Sequence, residues 1–182
     1  MKAPGTGLFF DMRRIGLISD THGTLSTRLF RFFEKVDEVW HAGDIGDTQT
    51  ADQLSAFKPL RAVYGNIDDH ILRRMFPEVL RFYCEEVEVL MTHIGGFPGR
   101  YERHIYPELM KKTPQLFIAG HSHILKVIYD KKLNCLHMNP GAAGNKGFHK
   151  VCTALRFVID GKEIKDLEVL EFERAEFSDA AL

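Results

Sequence analysis

Short apolar runs alternate with longer amphipathic stretches along this chain of 182 residues, and this alternation restricts the fold more than any other feature. The runs have the length of strands, and the amphipathic stretches repeat their apolar residues every three or four positions, as helices do. This pattern predicts an α/β fold in which helices cover a sheet. Over residues 15–64 the order is strand, helix, strand, helix, strand, which predicts a parallel sheet.

The individual elements follow from the same periodicities. In the first half we expect strands over residues 15–19, 38–41 and 60–64, the last one buried on both faces, and helices over residues 25–36 and 48–57. In the second half we expect one helix over residues 101–112 and strands over residues 79–84, 87–92, 116–119, 125–129, 135–138, 153–159 and 164–170. Two packed sheets with helices outside them account for both halves.

The composition fits one folded domain without a special affinity for polyanions or lipid. Hydrophobic residues make up 45% of the chain, and 24 Lys+Arg against 25 Asp+Glu give a net charge of -1. This balance argues against general binding to nucleic-acid polymers, and no run of about 18 apolar residues predicts a membrane span. We expect an extension over residues 1–12, a single domain over residues 13–182, and neither nucleic acid nor a membrane as partner.

The cysteines indicate the compartment. Cys84, Cys135 and Cys152 are odd in number, far apart and without a C-x-x-C pair. They therefore argue against a disulfide framework and against a cysteine zinc site. The apolar patch near the start of the chain is too short for a signal peptide. Both observations favour a cytoplasmic location.

Polar residues with metal-binding or catalytic chemistry follow five of the predicted strands. They are Asp20, His22, Asp44, Asn66, His93, His121 and His123. Because sites in α/β sheets form beyond the carboxyl ends of the strands, these side chains are expected to converge. A helix cap or a turn would explain any one of them, but coincidence explains all seven poorly.

The mixture of ligand types limits the metal. Imidazoles, carboxylates and one amide, without a thiolate, suit divalent Mn, Fe, Co, Ni or Zn. Seven ligands are too many for one tetrahedral ion and fit two ions that share a carboxylate. We expect two divalent ions, with manganese as the first candidate and nickel, iron, cobalt or zinc as alternatives. Glycines precede Asp44, Asn66 and His121, which fits a backbone that turns sharply beside an ion.

Five strings occur in the order that is typical of the calcineurin-like metallophosphoesterase superfamily, and the chain resembles that family. They are Asp20-Thr-His22, Gly43-Asp44, Gly65-Asn66, Thr92-His93 and Gly120-His121-Ser-His123. The short length and a later Asn139-Pro140-Gly141 resemble its small YfcE-like phosphodiesterase branch. Over residues 13–170 the resemblance implies a four-layer αββα sandwich, with two mixed β-sheets flanked by helices.

The resemblance also implies an activity and roles for the residues. One ion would be held by Asp20, His22 and His123, the other by Asn66, His93 and His121, with Asp44 as the bridge. The implied catalytic residues are Asp20, Asp44, Asn66 and His93. The chain would be a dinuclear metal-dependent phosphodiesterase in which a bridging hydroxide attacks a small phosphodiester in line, and relatives that self-associate suggest a homo-oligomer.

The chain departs from the superfamily at Ile67. Many members read G-N-H-[DE], with a histidine near the leaving group that is thought to act as general acid, where this chain reads Gly65-Asn66-Ile67-Asp68. A positioned general acid contributes about 10²- to 10⁴-fold, so its loss predicts a preference for diesters or for good leaving groups. Asp47 would pair with that histidine in the wider family; here its role is open, and we expect either a solvated aspartate or a helix cap before Thr48, which is itself a candidate cap.

Other residues have weaker signals. Phe97 and Arg100 follow His93 closely and are expected at the rim of the pocket. The remaining histidines have no motif context and are expected to be structural or exposed: His41, His70, His104, His137 and His149.

Two alternatives remain beside the phosphodiesterase. The string Gly120-His121-Ser122-His123 approaches the serine-hydrolase pattern G-x-S-x-G, but Ile124 replaces the last glycine and a strand-like stretch follows. The same fold also occurs as a protein-interaction scaffold with a decayed metal site, as in the retromer subunit, which would make the chain catalytically weak or inactive. All seven ligand positions keep competent residues, and this favours the enzyme.

Overall fold

The computed structural model describes residues 12–177, so nearly all of the predicted extension over residues 1–12 lies outside the described part. The strands are β1 Arg13–Ile18, β2 Glu38–His41, β3 Leu60–Ala62, β4 Val79–Cys84, β5 Val87–Thr92, β6 Gly96–Phe97, β7 Arg100–Tyr101, β8 Leu116–Ile118, β9 Leu125–Asp130, β10 Cys135–Pro140, β11 Val151–Asp160 and β12 Glu163–Glu173. The helices are α1 Thr27–Phe32, α2 Thr48–Phe57, α3 Leu72–Met75 and α4 Tyr106–Lys111, and a short 3-10 turn spans Arg174–Glu176.

Two five-stranded mixed sheets form the centre of the molecule. The first has the order β12-β11-β1-β2-β3 and the second β4-β5-β8-β10-β9, while β6 and β7 form a separate hairpin. Strands β1, β2 and β3 are parallel, as predicted, and β11 runs antiparallel to β1. In the second sheet β5, β8 and β10 are parallel, and β4 and β9 lie antiparallel at the edges.

The apolar residues of β1 serve both faces of the first sheet because successive side chains point to opposite sides. Leu17 belongs to the core between the sheets, together with Met91 of the second sheet. Ile18 packs on the outer face with Leu29 of α1. On the far side, Leu109 of α4 covers the second sheet. The four layers are therefore helix, sheet, sheet, helix, and the predicted αββα sandwich is confirmed.

Local contacts shorten the two longest predicted helices. The side chain of Ser26 accepts a hydrogen bond from the backbone of Arg28 and caps α1. The helix ends at Phe32, with Phe33 as its C-cap, so it does not extend over residues 25–36. Tyr101 pairs with Gly96 in the hairpin, and α4 therefore begins only at Tyr106. The hairpin and α3 were not predicted.

Strand β3 also differs from the prediction. It is shorter, and it lies at the edge of the first sheet, which leaves Leu60 and Arg61 half-buried. The expectation of a strand buried on both faces was wrong because the chain adds β11 and β12 on the opposite side of β1.

The cysteines are buried and have free thiols. Within residues 12–177 every helix is too short or too polar to cross a lipid bilayer.

Candidate metal centre

Loops from both sheets meet beyond the carboxyl ends of their strands. The loops after β1 and β2 run side by side, because the backbone N–H of Asp20 donates to the Gly43 carbonyl at 3.0 Å and that of His22 to the Asp44 carbonyl at 3.0 Å. The loop after β8 joins them from the second sheet, since the backbone N–H of His121 donates to Asp20 Oδ2 at 3.1 Å. The predicted convergence of these strand ends is therefore observed.

Six of the seven predicted ligands form two groups whose ligand atoms lie within 4.8 Å of one another. One group is Asp20, His22 and His123, and the other is Asp44, His93 and His121. In the first group, Asp20 Oδ1 lies 3.1 Å from His123 Nε2 and 3.9 Å from His22 Nε2.

Asp44 faces both groups. Its Oδ1 lies 3.2 Å from Nε2 of His93, and its Oδ2 lies 3.7 Å from Nε2 of His22. A carboxylate in this position can give one oxygen to each of two neighbouring ions.

Two buried atoms of the site lack a well-aligned hydrogen-bond partner: Asp20 Oδ1 and His93 Nε2. Buried polar atoms in folded proteins are nearly always paired, so unpaired atoms that face other ligand atoms indicate a place for a cation. Nδ1–H of His93 donates to the Ala42 carbonyl at 2.8 Å, which leaves the Nε2 lone pair available to a metal. These residues fit the divalent ions that the ligand types imply.

The backbone of the site is strained. Residues 12–177 contain eight non-glycine residues with positive φ, and five of them are candidate ligands: Asp20, His22, Asp44, His121 and His123. Each such residue costs of order 1–3 kcal/mol, and strain of this kind concentrates at functional sites. The same turns aim the side chains of successive loops at one point.

The two carboxylates favour positive charge at this point. Burial opposes the ionised form of Asp44, but His93, the backbone N–H of Ile67 and His22 together outweigh burial and lower the pKa of the carboxyl. Burial likewise opposes the protonated form of His93, but Asp44, Asp20 and the Ala42 carbonyl together outweigh burial and raise the pKa of His93. Asp20 raises the pKa of His123. A metal cation would take the place of the protons that these pKa values favour.

Asn66 lies at the border of the second group. It is exposed and lines a cavity of about 350 Å³ together with His93. The backbone N–H of the next residue, Ile67, donates to Asp44 Oδ1 at 3.0 Å. A side chain at Gly65 would overlap the Asp44 carboxylate, which explains the glycine in this motif.

Two buried side chains hold the loops in place. Asp68 accepts hydrogen bonds from the backbone N–H groups of Ile45, Gly46 and Gly65 at 3.2, 2.8 and 2.8 Å. His41 accepts from the backbone of Gly43 through Nδ1 and contacts the Thr21 hydroxyl through Nε2 at 2.8 Å. The structural role expected for His41 is confirmed, while the role of Asp68 was missed because its signal was only its place after Gly65-Asn66.

Several weaker expectations can also be compared with the structure. Asp47 caps α2 by accepting from the backbone of Thr50 at 2.7 Å, which is one of its two expected roles, whereas Thr48 is the first residue of the helix and not its cap. Phe97 and Arg100 line a cavity beside His121, as expected for the pocket rim. His149 was expected to be structural or exposed, but it contacts a candidate ligand.

The family model of the calcineurin-like phosphoesterase superfamily domain matches residues 12–162, which include all seven candidate ligands. The chain belongs to the calcineurin-like phosphoesterase superfamily. The resemblance to this superfamily that was inferred from the five strings is confirmed. By family the chain is therefore a metallophosphoesterase. This membership argues against the serine-hydrolase alternative.

Relatives and solved structures of this superfamily span most of the chain. A probable metallophosphoesterase of Methanocaldococcus jannaschii is 31% identical over 134 residues, which cover 70% of this chain and 67% of that protein. The structure of an archaeal phosphodiesterase has a TM-score of 0.61 at 19% identity and covers 86% of this chain and 99% of its own. A zinc complex of Vps29 from Entamoeba histolytica has a TM-score of 0.67 at 15% identity, with 88% and 99% covered.

Proposed function

We propose that this chain is a phosphodiesterase with two divalent metal ions that hydrolyses a small phosphodiester. The observation that carries the proposal is the pair of ligand groups, with one carboxylate oxygen of Asp44 directed at His93 and the other at His22. Family membership supports metal-dependent phosphoester hydrolysis. The archaeal neighbour described as a phosphodiesterase supports the diester as substrate.

The residues of the chain hold and orient the reacting groups. The ions, when bound, polarise the phosphate oxygens and activate water for in-line attack on phosphorus. Asp20 and Asp44 supply the negative charge that holds both ions, and the Ala42 carbonyl fixes the ring of His93 with Nε2 directed inward. The amide oxygen of Asn66 completes the second ligand set. No side chain of the chain has to act as nucleophile.

Ile67 accounts for the preference for diesters. Ile67 is 46% exposed. Its backbone N–H donates to Asp44, and this hydrogen bond holds the residue beside the second group. An alkyl side chain cannot protonate an alkoxide leaving group. Substrates whose leaving group departs without a proton, such as aryl diesters, are therefore expected to turn over faster than alkyl monoesters.

Two cavities border the second ligand group and suit a small substrate with two arms. The cavity beside His93 and Asn66 has a volume of about 350 Å³ and includes Arg73. The cavity beside His121 has a volume of about 200 Å³. Pockets for drug-sized ligands hold roughly 300–1,000 Å³, so the volume of each cavity suits one arm of a small phosphodiester.

The test is hydrolysis by protein stripped with a chelator and then supplied with Mn, Ni, Co, Zn or Mg. We expect metal-dependent cleavage of bis(4-nitrophenyl) phosphate that exceeds cleavage of 4-nitrophenyl phosphate. His121→Ala and Asp44→Asn are expected to abolish it, whereas His70→Ala, an exposed histidine away from the ligand groups, is the matched control. Activity that survives both ligand changes would contradict the proposal.

The scaffold alternative is less favoured because the ligand groups are complete. Bound metal alone does not separate the scaffold from the enzyme, because a scaffold that keeps these ligands would also bind metal. Turnover separates them. Metal-loaded protein that binds two ions but cleaves none of a panel of aryl and alkyl diesters would favour the scaffold.

A further inference from the structure

Outside the metal centre, His137 is another buried histidine whose ring nitrogens have no hydrogen-bond partner. Of the four buried side-chain polar atoms without a hydrogen-bond partner in residues 12–177, two belong to the ligand groups and the other two are Nδ1 and Nε2 of His137. His137 lies on β10, is 1% exposed and packs against the ring of Phe117 at 5.5 Å. A phenylalanine or leucine would fill this space without unpaired atoms, so packing alone does not explain a histidine here.

His137 lines the cavity of about 200 Å³ that His121 also borders, and we call it the His137 cavity. Its wall includes the hairpin residues Phe97 and Arg100 and, from β9, Lys126. The wall of this cavity therefore includes both a candidate metal ligand, His121, and the unpaired histidine. A substrate bound at the metal centre would reach it directly.

The charges around this cavity favour an anion. The Lys126 ammonium lies 3.7 Å from the centre of the Phe97 ring, which holds it at the cavity wall. Within the described part of the chain neither Lys126 nor Arg100 forms an ion pair with a carboxylate, and the opposing charge at the wall is Glu102. Two cations against one anion leave a net positive charge.

His137 is neutral in this setting. Burial, followed by Lys126, lowers the pKa of His137 to about 4, against smaller opposing contributions from Asp130 and the Phe117 backbone. A neutral imidazole presents one N–H donor and one acceptor nitrogen. Its N–H can donate to an anionic oxygen that the lysine and arginine attract.

We infer that the His137 cavity binds an anionic group, a phosphate or a carboxylate, on the second arm of the substrate. The inference rests on the proposed phosphodiesterase function and extends it: the reacting phosphodiester lies at the metal ions, and the group that is not cleaved is anchored by Lys126, Arg100 and His137. The substrate would be a small phosphodiester with a further negative charge.

The first test compares 4-nitrophenyl phosphodiesters whose second arm is ethyl, 2-carboxyethyl or 2-phosphoethyl. In the wild type we expect kcat/KM about tenfold higher for a charged arm than for ethyl, as for one charge-assisted contact. The better of the two charged arms distinguishes carboxylate from phosphate. In Lys126→Ala and His137→Phe the ratio is expected to fall toward one, and in the control Lys131→Ala, an exposed lysine outside the cavity wall, it is expected to stay.

The second test measures binding without turnover. Calorimetry with zinc-loaded protein compares 3-phosphonopropionate with propylphosphonate, which lacks the carboxylate, and the side-chain ¹⁵N resonances of His137 report the site. We expect about tenfold tighter binding of 3-phosphonopropionate in the wild type, lost in both cavity variants, and a shift of the His137 resonances. Thermal melting checks that His137→Phe is folded.

The outcomes separate the two proposals. Equal kcat/KM for all three arms and equal affinity for both phosphonates would overturn the anionic subsite while leaving the phosphodiesterase intact. No hydrolysis of any ester with bound metal would contradict the proposed function, and the calorimetric comparison would still decide whether the His137 cavity binds an anion.

Discussion

His149 lies 3.1 Å from the candidate ligand His123, with Nδ1 of one imidazole facing Nδ1 of the other. The Nε2 of His149 lies 2.9 Å from the Gly144 carbonyl, which can only accept, so that nitrogen carries the proton. The Nδ1 of neutral His149 must then accept, and Nδ1–H of His123 donates to it. The Nε2 of His123 is then unprotonated, and its lone pair lies beside Asp20. An unprotonated imidazole nitrogen is the form that binds a metal.

His149 is therefore expected to position His123. His149→Phe should lower metal affinity at the Asp20 group by about 10- to 100-fold, as for other residues that orient metal-bound histidines. His149→Gln, whose side-chain oxygen can accept the same hydrogen bond, should retain more affinity. The measurement is competition with a chromophoric chelator, with His70→Phe as control. Equal metal affinity in His149→Phe and the wild type would contradict this role.

The leaving-group preference depends on Ile67. Ile67→His should raise the ratio of monoesterase to diesterase activity about tenfold or more, because it restores a proton donor beside the second ligand group. The bond from its backbone N–H to Asp44 does not depend on the side chain. Ile71→His, at a neighbouring exposed isoleucine, is the control. An unchanged ratio in Ile67→His would count against the argument from the missing acid.

Asp68 should contribute strongly to stability because it is buried and accepts three backbone hydrogen bonds from two of the metal-binding loops. Asp68→Ala would leave these N–H groups unpaired and is expected to lower the free energy of unfolding by about 3 kcal/mol. Asp52→Ala, at an exposed position of α2, is the matched control and should change it by less than about 0.5 kcal/mol. Urea unfolding of metal-free protein measures both. A loss no larger than that of the control would show that the loops do not depend on Asp68.

His41 should make stability depend on pH. Burial lowers the pKa of His41 from 6.5 to about 3, so between these values the unfolded chain binds a proton that the folded chain does not. The stability that His41 contributes is therefore present above pH 6.5 and is lost as the pH falls toward 3. From pH 6.5 to 5 the contribution of His41 to this loss should be about 1.6 kcal/mol.

The variant His41→Gln isolates this contribution. It keeps a donor and an acceptor for Thr21 and Gly43 but cannot titrate. Urea unfolding of both proteins without metal, at several pH values from 7 to 5, gives the comparison. If the free energies of unfolding of the wild type and of His41→Gln fall equally as the pH is lowered, His41 does not take up a proton on unfolding, and the prediction is wrong.

Much of the site could be predicted because parallel strands place their carboxyl ends at one edge of a sheet. Asp20, Asp44 and His121 follow β1, β2 and β8, and short apolar strands are easy to recognise. The left-handed backbone at these residues could not be predicted, because the contacts between loops that impose it are distant in sequence. The same limit applies to His149, which lies between β10 and β11 with no periodic neighbours.

The errors in the predicted fold likewise come from contacts between residues that are distant in sequence. The amphipathic pattern from Tyr101 onward fits a helix, but pairing with Gly96 holds Tyr101 in a hairpin and α4 begins later. The apolar character of Leu60 suggested a central strand, whereas the order of the strands is decided by β11 and β12 from the end of the described chain. Tertiary contacts outweigh local preference at both places.

The central claim is that two ions act together, held by two ligand groups that share Asp44. The most direct test titrates metal-free protein with manganese while bound metal per chain and hydrolysis of bis(4-nitrophenyl) phosphate are followed in the same samples. We expect activity to reach its plateau at two equivalents per chain, with almost none at the first equivalent, and no activity at any equivalent in Asp44→Asn. A plateau at one equivalent, or full activity without added metal, would contradict the claim.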